Sequence, residues 1–148
     1  MSNEVTVRRI EKADFEAWKT MWTKYLEFYK SSVKPEVYQS TFDRFFENGE
    51  FEPNCFVAVQ DDQLVGLVHF MYHRHNWHIA NTCYLQDLYA DENRRGTGIG
   101  RKLIEAVYEQ ADKDGAVSVY WNTQDFNTEA RKLYDRIAKL TPFIKYQR

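Results

Sequence analysis

Apolar residues alternate with polar ones in some stretches of the chain and recur every three or four positions in others. The switches between these two spacings outline its elements. Residues 5–10 (VTVRRI) alternate weakly and predict a short first strand. Asp14 can cap the helix that follows, where Phe15, Trp18, Trp22, Tyr25, Leu26 and Tyr29 form one stripe at i, i+3, i+4 spacing. Pro35 suits the first turn of a second, shorter helix with Tyr38, Phe42, Phe45 and Phe46 on its apolar side. Residues 55–60 (CFVAVQ) and 64–72 (LVGLVHFMY) predict two strands joined by a tight turn at Asp61-Asp62. Asn76 begins a polar connection, and residues 82–90 (TCYLQDLYA) form another apolar run of strand length.

Beyond residue 90 the pattern becomes helix, strand, helix. Ile99, Leu103, Val107 and Ala111 share a helix face, and Gly115 supplies the stop. Residues 117–121 (VSVYW) predict a strand. Asn127 or Thr128 can cap a further helix with Ala130, Leu133, Tyr134 and Ile137 on one face. Pro142 ends that region, and residues 143–146 read as a last strand. The order β-α-α-β-β-β-α-β-α-β belongs to the α/β class, a mixed, mostly antiparallel sheet flanked by helices. No repeat and no proline- or serine-rich linker interrupts it, so residues 1–148 are expected to form a single domain.

Composition narrows the function classes. At 148 residues, with 43% apolar and 28% charged, the chain can bury a core without disulfides or a structural metal. A net charge of −2 gives no basic footprint, so no direct nucleic-acid partner is expected. Cys55 and Cys83 both lie in apolar runs and are expected as buried, reduced thiols. The first residues carry no signal pattern and no apolar run approaches a membrane span, so a cytoplasmic protein without a membrane partner is expected. Ten Tyr and ten Phe bring the aromatic share to 16%, which fits both a tyrosine-rich core and an aromatic-walled cleft.

The candidate chemistry begins at the turn after residue 90. A glycine-rich link between strand and helix presents backbone N–H groups at the positive end of the helix and so suits a phosphate. The dinucleotide fingerprint fails because Arg101 stands three residues after Gly98, and the Walker pattern fails for want of Gly-Lys-Ser/Thr. What stands here is Arg95-x-x-Gly98-x-Gly100, followed by an amphipathic helix. This resembles the pyrophosphate loop of the Gcn5-related N-acetyltransferases (GNAT), Arg/Gln-x-x-Gly-x-Gly/Ala. About thirty residues later, residues 127–134 (NTEARKLY) resemble that family's N-x-x-A-x-x-L-Y helix. The resemblance covers nearly the whole chain in the same element order. Residues 84–89 (YLQDLY) and 118–121 (SVYW) are most similar to the branch of fungal histone/polyamine-type and spermidine/spermine-type acetyltransferases.

The resemblance implies a GNAT-like fold and acetyl-CoA as co-substrate, with acetyl passing directly to a primary amine in a ternary complex. It implies that Leu88, Tyr89 and Ala90 hold the pantetheine arm through backbone groups. Arg95, Gly96, Thr97, Gly98, Ile99, Gly100 and Arg101 would wrap the pyrophosphate. Asn127 matches a CoA-contacting position that could equally be a helix cap. Tyr134 matches the tyrosine near the thioester sulfur, where a phenol can donate a hydrogen bond or proton to a thiolate of pKa about 8.5. Members of the similar branch commonly dimerise, which implies a homodimer.

Removing a proton from an alkyl amine of pKa about 10.4 at pH 7 costs roughly 4.6 kcal/mol, so the reaction needs a base. Spermidine/spermine-type members carry Leu-Glu-Asp where this chain has Leu85-Gln86-Asp87. Gln86 cannot serve. Asp87 is the candidate, directly or through water with Tyr84 or Tyr89, unless it is structural and turned to the other face of the sheet. His69, His73, His75 and His78 fall in one stretch, yet no cysteine or carboxylate nearby completes a ligand set, and no metal is expected. Tyr25, Tyr29 and Tyr38, with Glu27 and Glu36, could hold a cationic acceptor, or could form a core stripe beside a solvated face. The acceptor thus stays broad: a small amine, a polyamine, an amino acid or a protein lysine. Two other readings stand beside catalysis, a non-catalytic acyl-CoA-binding module, favoured by Gln86, and an interaction domain with vestigial glycines.

Overall fold

A computed structural model describes residues 4–94 and 97–148. Its elements run β1 (Thr6–Arg9), α1 (Phe15–Phe28), α2 (Pro35–Arg44), β2 (Asn54–Gln60), β3 (Gln63–His73), β4 (Thr82–Ala90), α3 (Ile99–Lys113), β5 (Val119–Tyr120) and α4 (Thr128–Ile137). The strands form one five-stranded sheet in the order β1-β2-β3-β4-β5. The first four pair antiparallel, and β5 joins β4 in parallel after the α3 crossover. This is the expected mixed α/β architecture.

The turn between β2 and β3 consists of Asp61 and Asp62, both at positive φ (51° and 61°). Two left-handed residues in a two-residue hairpin match the twist of the flanking strands, and aspartate tolerates that conformation. Pro35 opens α2 as its first residue, and Gly115, at φ 74°, follows the end of α3. Asp14 does precede α1, but it does not cap that helix. Its carboxylate takes two hydrogen bonds from the Arg8 guanidinium (2.8 and 3.1 Å) and one from the Glu11 N–H (2.7 Å). A bidentate cation nearby and a turn of 3-10 helix just before α1 compete successfully for the side chain.

Strand alternation divides the core between the two sheet faces. Phe56, Val68, Phe70, Cys83 and Leu85 meet Leu103, Ile104 and Val107 of α3 on one face. On the other, Cys55, Val57 and Leu67 meet Trp18, Trp22, Tyr38 and Phe42 of α1 and α2. Trp18 is wholly buried, and truncating such a side chain to alanine costs about 3–5 kcal/mol. Both cysteines are buried and free, as expected.

Gly66 sets how closely α3 sits on the sheet. A Cβ there would fall 2.7 Å from Ile99 Cγ2 and 2.8 Å from the Tyr89 carbonyl oxygen, closer than atoms pack. The glycine therefore lets the first turn of α3 lie directly on β3. A glycine inside a strand pattern is the sequence signal for such an approach.

The last strand expected at residues 143–146 does not form. The sheet edge it would join is β5, which pairs β4 at only two positions, and Phe143, Ile144 and Tyr146 are exposed. Among the described residues no helix is long and apolar enough to cross a membrane.

Candidate active site

The site is built around the way β5 leaves β4. Cys83 pairs with Val119 and Tyr84 with Tyr120, and the ladder stops there. Residues 85–90 of β4 run on without a strand on that side among the described residues, so a wedge opens between the two strands. Leu88, Tyr89 and Ala90, expected to hold the pantetheine arm, lie on this unpaired stretch.

The loop and the start of α3 close the far end of the wedge. Gly98 precedes α3 at φ 73°, a left-handed conformation that glycine adopts without strain. The Lys102 N–H bonds the Gly98 carbonyl at 3.0 Å, which leaves the N–H groups of Ile99, Gly100 and Arg101 without intrahelical acceptors. Gly100 faces Leu88 of β4 and Leu133 of α4. Thr97 donates its hydroxyl to the Arg94 carbonyl (2.6 Å), and the exposed Arg101 meets Glu105 at 3.4 Å. Arg95 and Gly96 lie outside the described residues. Two neighbouring cations are engaged elsewhere: Arg94 donates to Gln60 and Gln63, and Lys102 Nζ reaches the Val5 carbonyl.

A recess of about 350 Å³ lies at the mouth of the wedge, lined by Tyr25, Tyr29, Tyr84, Gln86, Asp87, Asn122, Thr123, Gln124 and Lys145. A β-bulge puts Asp87 there. His69 pairs with Asp87 but Phe70 with Leu85, so Gln86 is the extra residue. Leu85 packs against α3, yet Asp87, two residues later, lies on the α1 face, which strict alternation would forbid. Bulges re-aim side chains in this way beside functional sites.

Asp87 is nearly buried and well partnered. His69 Nδ1 lies 2.8 Å from its Oδ2, and the Tyr25 hydroxyl also bonds it. Burial, then the Asp87 charge and hydrogen bond, hold the Tyr25 phenol far above its ordinary value. Burial and the same charge raise Tyr29. Both phenols therefore stay protonated.

Tyr134 lies on α4 with its ring 5.3 Å from that of Trp121, and burial, helped by Tyr29, pushes its phenol up to about 12. Asn127 stands at the N-cap position of α4 but makes no capping bond; its amide reaches Thr123 Oγ1 at 3.5 Å.

Other expected residues fall elsewhere. Tyr38 is buried in the core, with its hydroxyl 2.6 Å from Thr23 Oγ1, while Glu27 and Glu36 are exposed and outside the recess lining. Of the two tyrosines offered as relays, Tyr84 lines the recess and Tyr89 packs against the α1 core. His73 Nε2 meets the Tyr120 hydroxyl (2.6 Å), and His75 stacks edge-on with Trp77 and His78. His69 alone of the four histidines reaches the site, together with Trp18. Sequence reading missed both, because their partners are distant in the chain.

A larger groove of about 1040 Å³ lies beyond β5, between the end of α3, α4 and residues 138–145. None of the loop residues 97–101 lines it, but Tyr134 does, and Lys145 lines both this groove and the recess.

Comparison with known proteins agrees with this geometry. The acetyltransferase (GNAT) family matches residues 16–138. A D-amino-acid N-acetyltransferase of Saccharomyces cerevisiae is 36% identical over 149 residues, spanning 100% of this chain and 92% of that one. A thialysine N-epsilon-acetyltransferase of Sus scrofa is 34% identical over 86 residues, 58% of this chain and 45% of that one. An aminoglycoside N-acetyltransferase solved in complex with CoA superposes with a TM-score of 0.85 at 14% identity, covering 100% of this chain and 96% of that one. The strand wedge, the left-handed glycine before α3 and the match over most of the chain have one account: this protein belongs to the GNAT family and is an acetyltransferase.

Proposed function

We propose that the protein moves an acetyl group from acetyl-CoA to the amine of a small acceptor, and that the acceptor is an amino acid. The observation that carries this reading is the pair of opposite charges in the recess, Asp87 and Lys145, which both line it. An amino acid offers the opposite pair, an ammonium for Asp87 and a carboxylate for Lys145. Relatives acting on a D-amino acid and on thialysine support the same class. The volume suits a small molecule better than a long polyamine.

The residues around the wedge fit the co-substrate. The backbone of Leu88, Tyr89 and Ala90 would bind the pantetheine arm as an added strand. The N–H groups at Gly98, Ile99, Gly100 and Arg101, with Arg95, Gly96 and Thr97 of the same loop, would hold the pyrophosphate at the positive end of α3. Asn127, free of capping duty, would contact the same ligand. When bound, acetyl-CoA supplies an activated acyl carbon and a thiolate leaving group.

Asp87 takes one proton from the acceptor ammonium and releases it to solvent through the recess. The freed nitrogen lone pair forms the C–N bond as the C–S bond breaks. The second amine proton ends on the departing sulfur. Tyr134 serves that sulfur as a hydrogen-bond donor. A phenol near 12 lies about 3.5 pH units above a thiol, so complete transfer would run uphill by roughly 5 kcal/mol. We further infer a cytoplasmic location and a homodimer, the latter supported by the exposed apolar Leu140, Phe143, Ile144 and Tyr146 of the C-terminal segment.

The test is thiol release from acetyl-CoA across amino acids of both hands, polyamines, simple amines and basic peptides. Amino acids should be preferred. Lys145→Ala should raise KM for them while leaving simple amines unaffected. Equal or better turnover of polyamines, with no effect of Lys145→Ala, would remove the amino-acid assignment.

A further inference from the structure

The Asp87 carboxylate is held by a buried chain of side chains that the reaction itself does not require. Trp18 Nε1 lies 2.9 Å from His69 Nε2, and His69 Nδ1 lies 2.8 Å from Asp87 Oδ2. His69 is 3% exposed. Its ring is enclosed by those of Trp18, Trp22 and Phe45 at centroid distances of 6.0, 5.4 and 5.1 Å.

The direction of each bond follows from what each atom can do. An indole N–H only donates, so His69 Nε2 must be the acceptor and carries no proton. A neutral imidazole has one N–H, which must then sit on Nδ1 and point at Asp87. An imidazolium would set two N–H groups against each other at Trp18. Asp87 Oδ2 is therefore an acceptor, and the Tyr25 hydroxyl donates to the same carboxylate. The groups facing the carboxylate are Tyr25 of α1, Tyr29 just after it, Tyr84 and Gln86 of β4, His69 of β3, the Cys55 thiol of β2 and Lys145 of the C-terminal segment.

We propose that Trp18 and His69 are positioning residues for the proton acceptor. Trp18 fixes His69 as the Nδ1–H tautomer, and His69 clamps Oδ2 so that the carboxylate faces the acceptor amine. This rests on the reading of Asp87 as the base. The chain also closes one route. With Nε2 engaged, the proton taken by Asp87 cannot pass inward to His69 and must leave through the recess.

Nitrogen-15 NMR of the imidazole in the folded, full-length protein reads the tautomer without any assay of activity. The expected result is a protonated Nδ1 and an unprotonated Nε2. In kinetics, Trp18→Phe keeps a ring but deletes the donor, and His69→Phe deletes the clamp. His69→Phe should lower kcat roughly 10- to 100-fold, as loss of a hydrogen bond to a charged group does, and Trp18→Phe, which removes a bond between neutral groups, about 2- to 10-fold, both with little change in KM for acetyl-CoA. The acid limb of the pH–rate profile should move to higher pH, because a donor to the charged form has gone. His69→Asn, whose amide can donate from near the Nδ1 position, should recover part of the loss.

An Nε2–H tautomer or an imidazolium in the folded protein would overturn the proposal. So would variants whose losses track only the fraction folded, with an unmoved pH profile and no rescue by asparagine. Failure of the base reading looks different. Asp87→Asn would keep full turnover while the NMR tautomer stayed as described.

Discussion

A methyl group on Gly100 would lie 3.5 Å from Leu133 Cδ2, an ordinary van der Waals distance, so the first turn of α3 already touches α4 across this glycine. Gly98, two residues earlier, has nothing within 4 Å of the same probe but stands at φ 73°. The two glycines of the loop thus have different physical reasons, and substitutions separate them.

Gly98→Ala should destabilise the fold by about 1–2 kcal/mol through left-handed strain. Gly100→Ala should be neutral or stabilising by up to about 1 kcal/mol, since alanine is the better helix former. Gly98→Glu and Gly100→Glu should both abolish CoA binding, because bulk and negative charge enter the pyrophosphate site. Thermal melts and calorimetry with CoA check each part. Undiminished affinity in folded glutamate variants would remove the loop assignment.

Tyr134→Phe keeps the ring against Trp121 and deletes only the hydroxyl. A hydrogen bond to the developing thiolate is worth roughly 1.5–3 kcal/mol, so kcat should fall about 10- to 150-fold. Loss of full proton transfer would cost up to about 10⁴-fold. Affinity for acetyl-CoA should barely move. Turnover near wild type under saturation would return Tyr134 to the core.

Asp87→Asn should cut turnover most near neutral pH. Activity should partly return as pH approaches the amine's own value of about 10, where free base needs no enzymatic help. Gln86→Glu adds a second carboxylate beside Asp87 in the same recess and should shift preference toward polycationic acceptors. Rates measured from pH 6 to roughly 10 on both variants decide this. A uniform loss at every pH, with lowered stability, would mark Asp87 as structural.

Alkali should unfold the protein in a window set by buried neutral groups. Burial, with Asp114 adding, pushes the Cys83 thiol up to about 12, and burial, with Tyr29 adding, does the same to Tyr134. Raised values mean the folded state favours the protonated forms. Their contribution is complete below the ordinary values of 9.0 and 10.0 and is lost as pH climbs toward about 12. Melting temperature should therefore fall from roughly pH 9 upward, less steeply above pH 10 in Tyr134→Phe. Cys55 and Cys83 should resist thiol reagents until unfolding, so a thiol-release assay reads only CoA.

The sequence carried the local features well. Pro35, Gly115, the Asp61-Asp62 turn and the Gly98 loop were legible because each depends on its own backbone angles or on neighbours within a few residues. The two faces of the core were legible from spacing. What could not be read depends on distant partners. Gln86 becomes a bulge only through the register of β3 against β4, and that bulge decides which way Asp87 points. Trp18 looks like any other member of an apolar stripe until His69, 51 residues away, is placed against it. The strand expected at residues 143–146 has the right composition, but β5 offers it too short an edge.

The two-position ladder between β4 and β5 has a consequence for the protein's lifetime. Beyond it, α4 buries no residue fully, so the chain after Tyr120 is held to the rest by little more than a partly covered apolar stripe. Such a segment opens at low cost and is where proteases enter. A donor bound in the wedge would tie the two sides together, adding about 2.7 kcal/mol at one hundred times its dissociation constant. Limited proteolysis should therefore cut first between residues 121 and 138, and CoA should suppress that cut. Survival of the enzyme in a cell would then follow the supply of the metabolite it consumes.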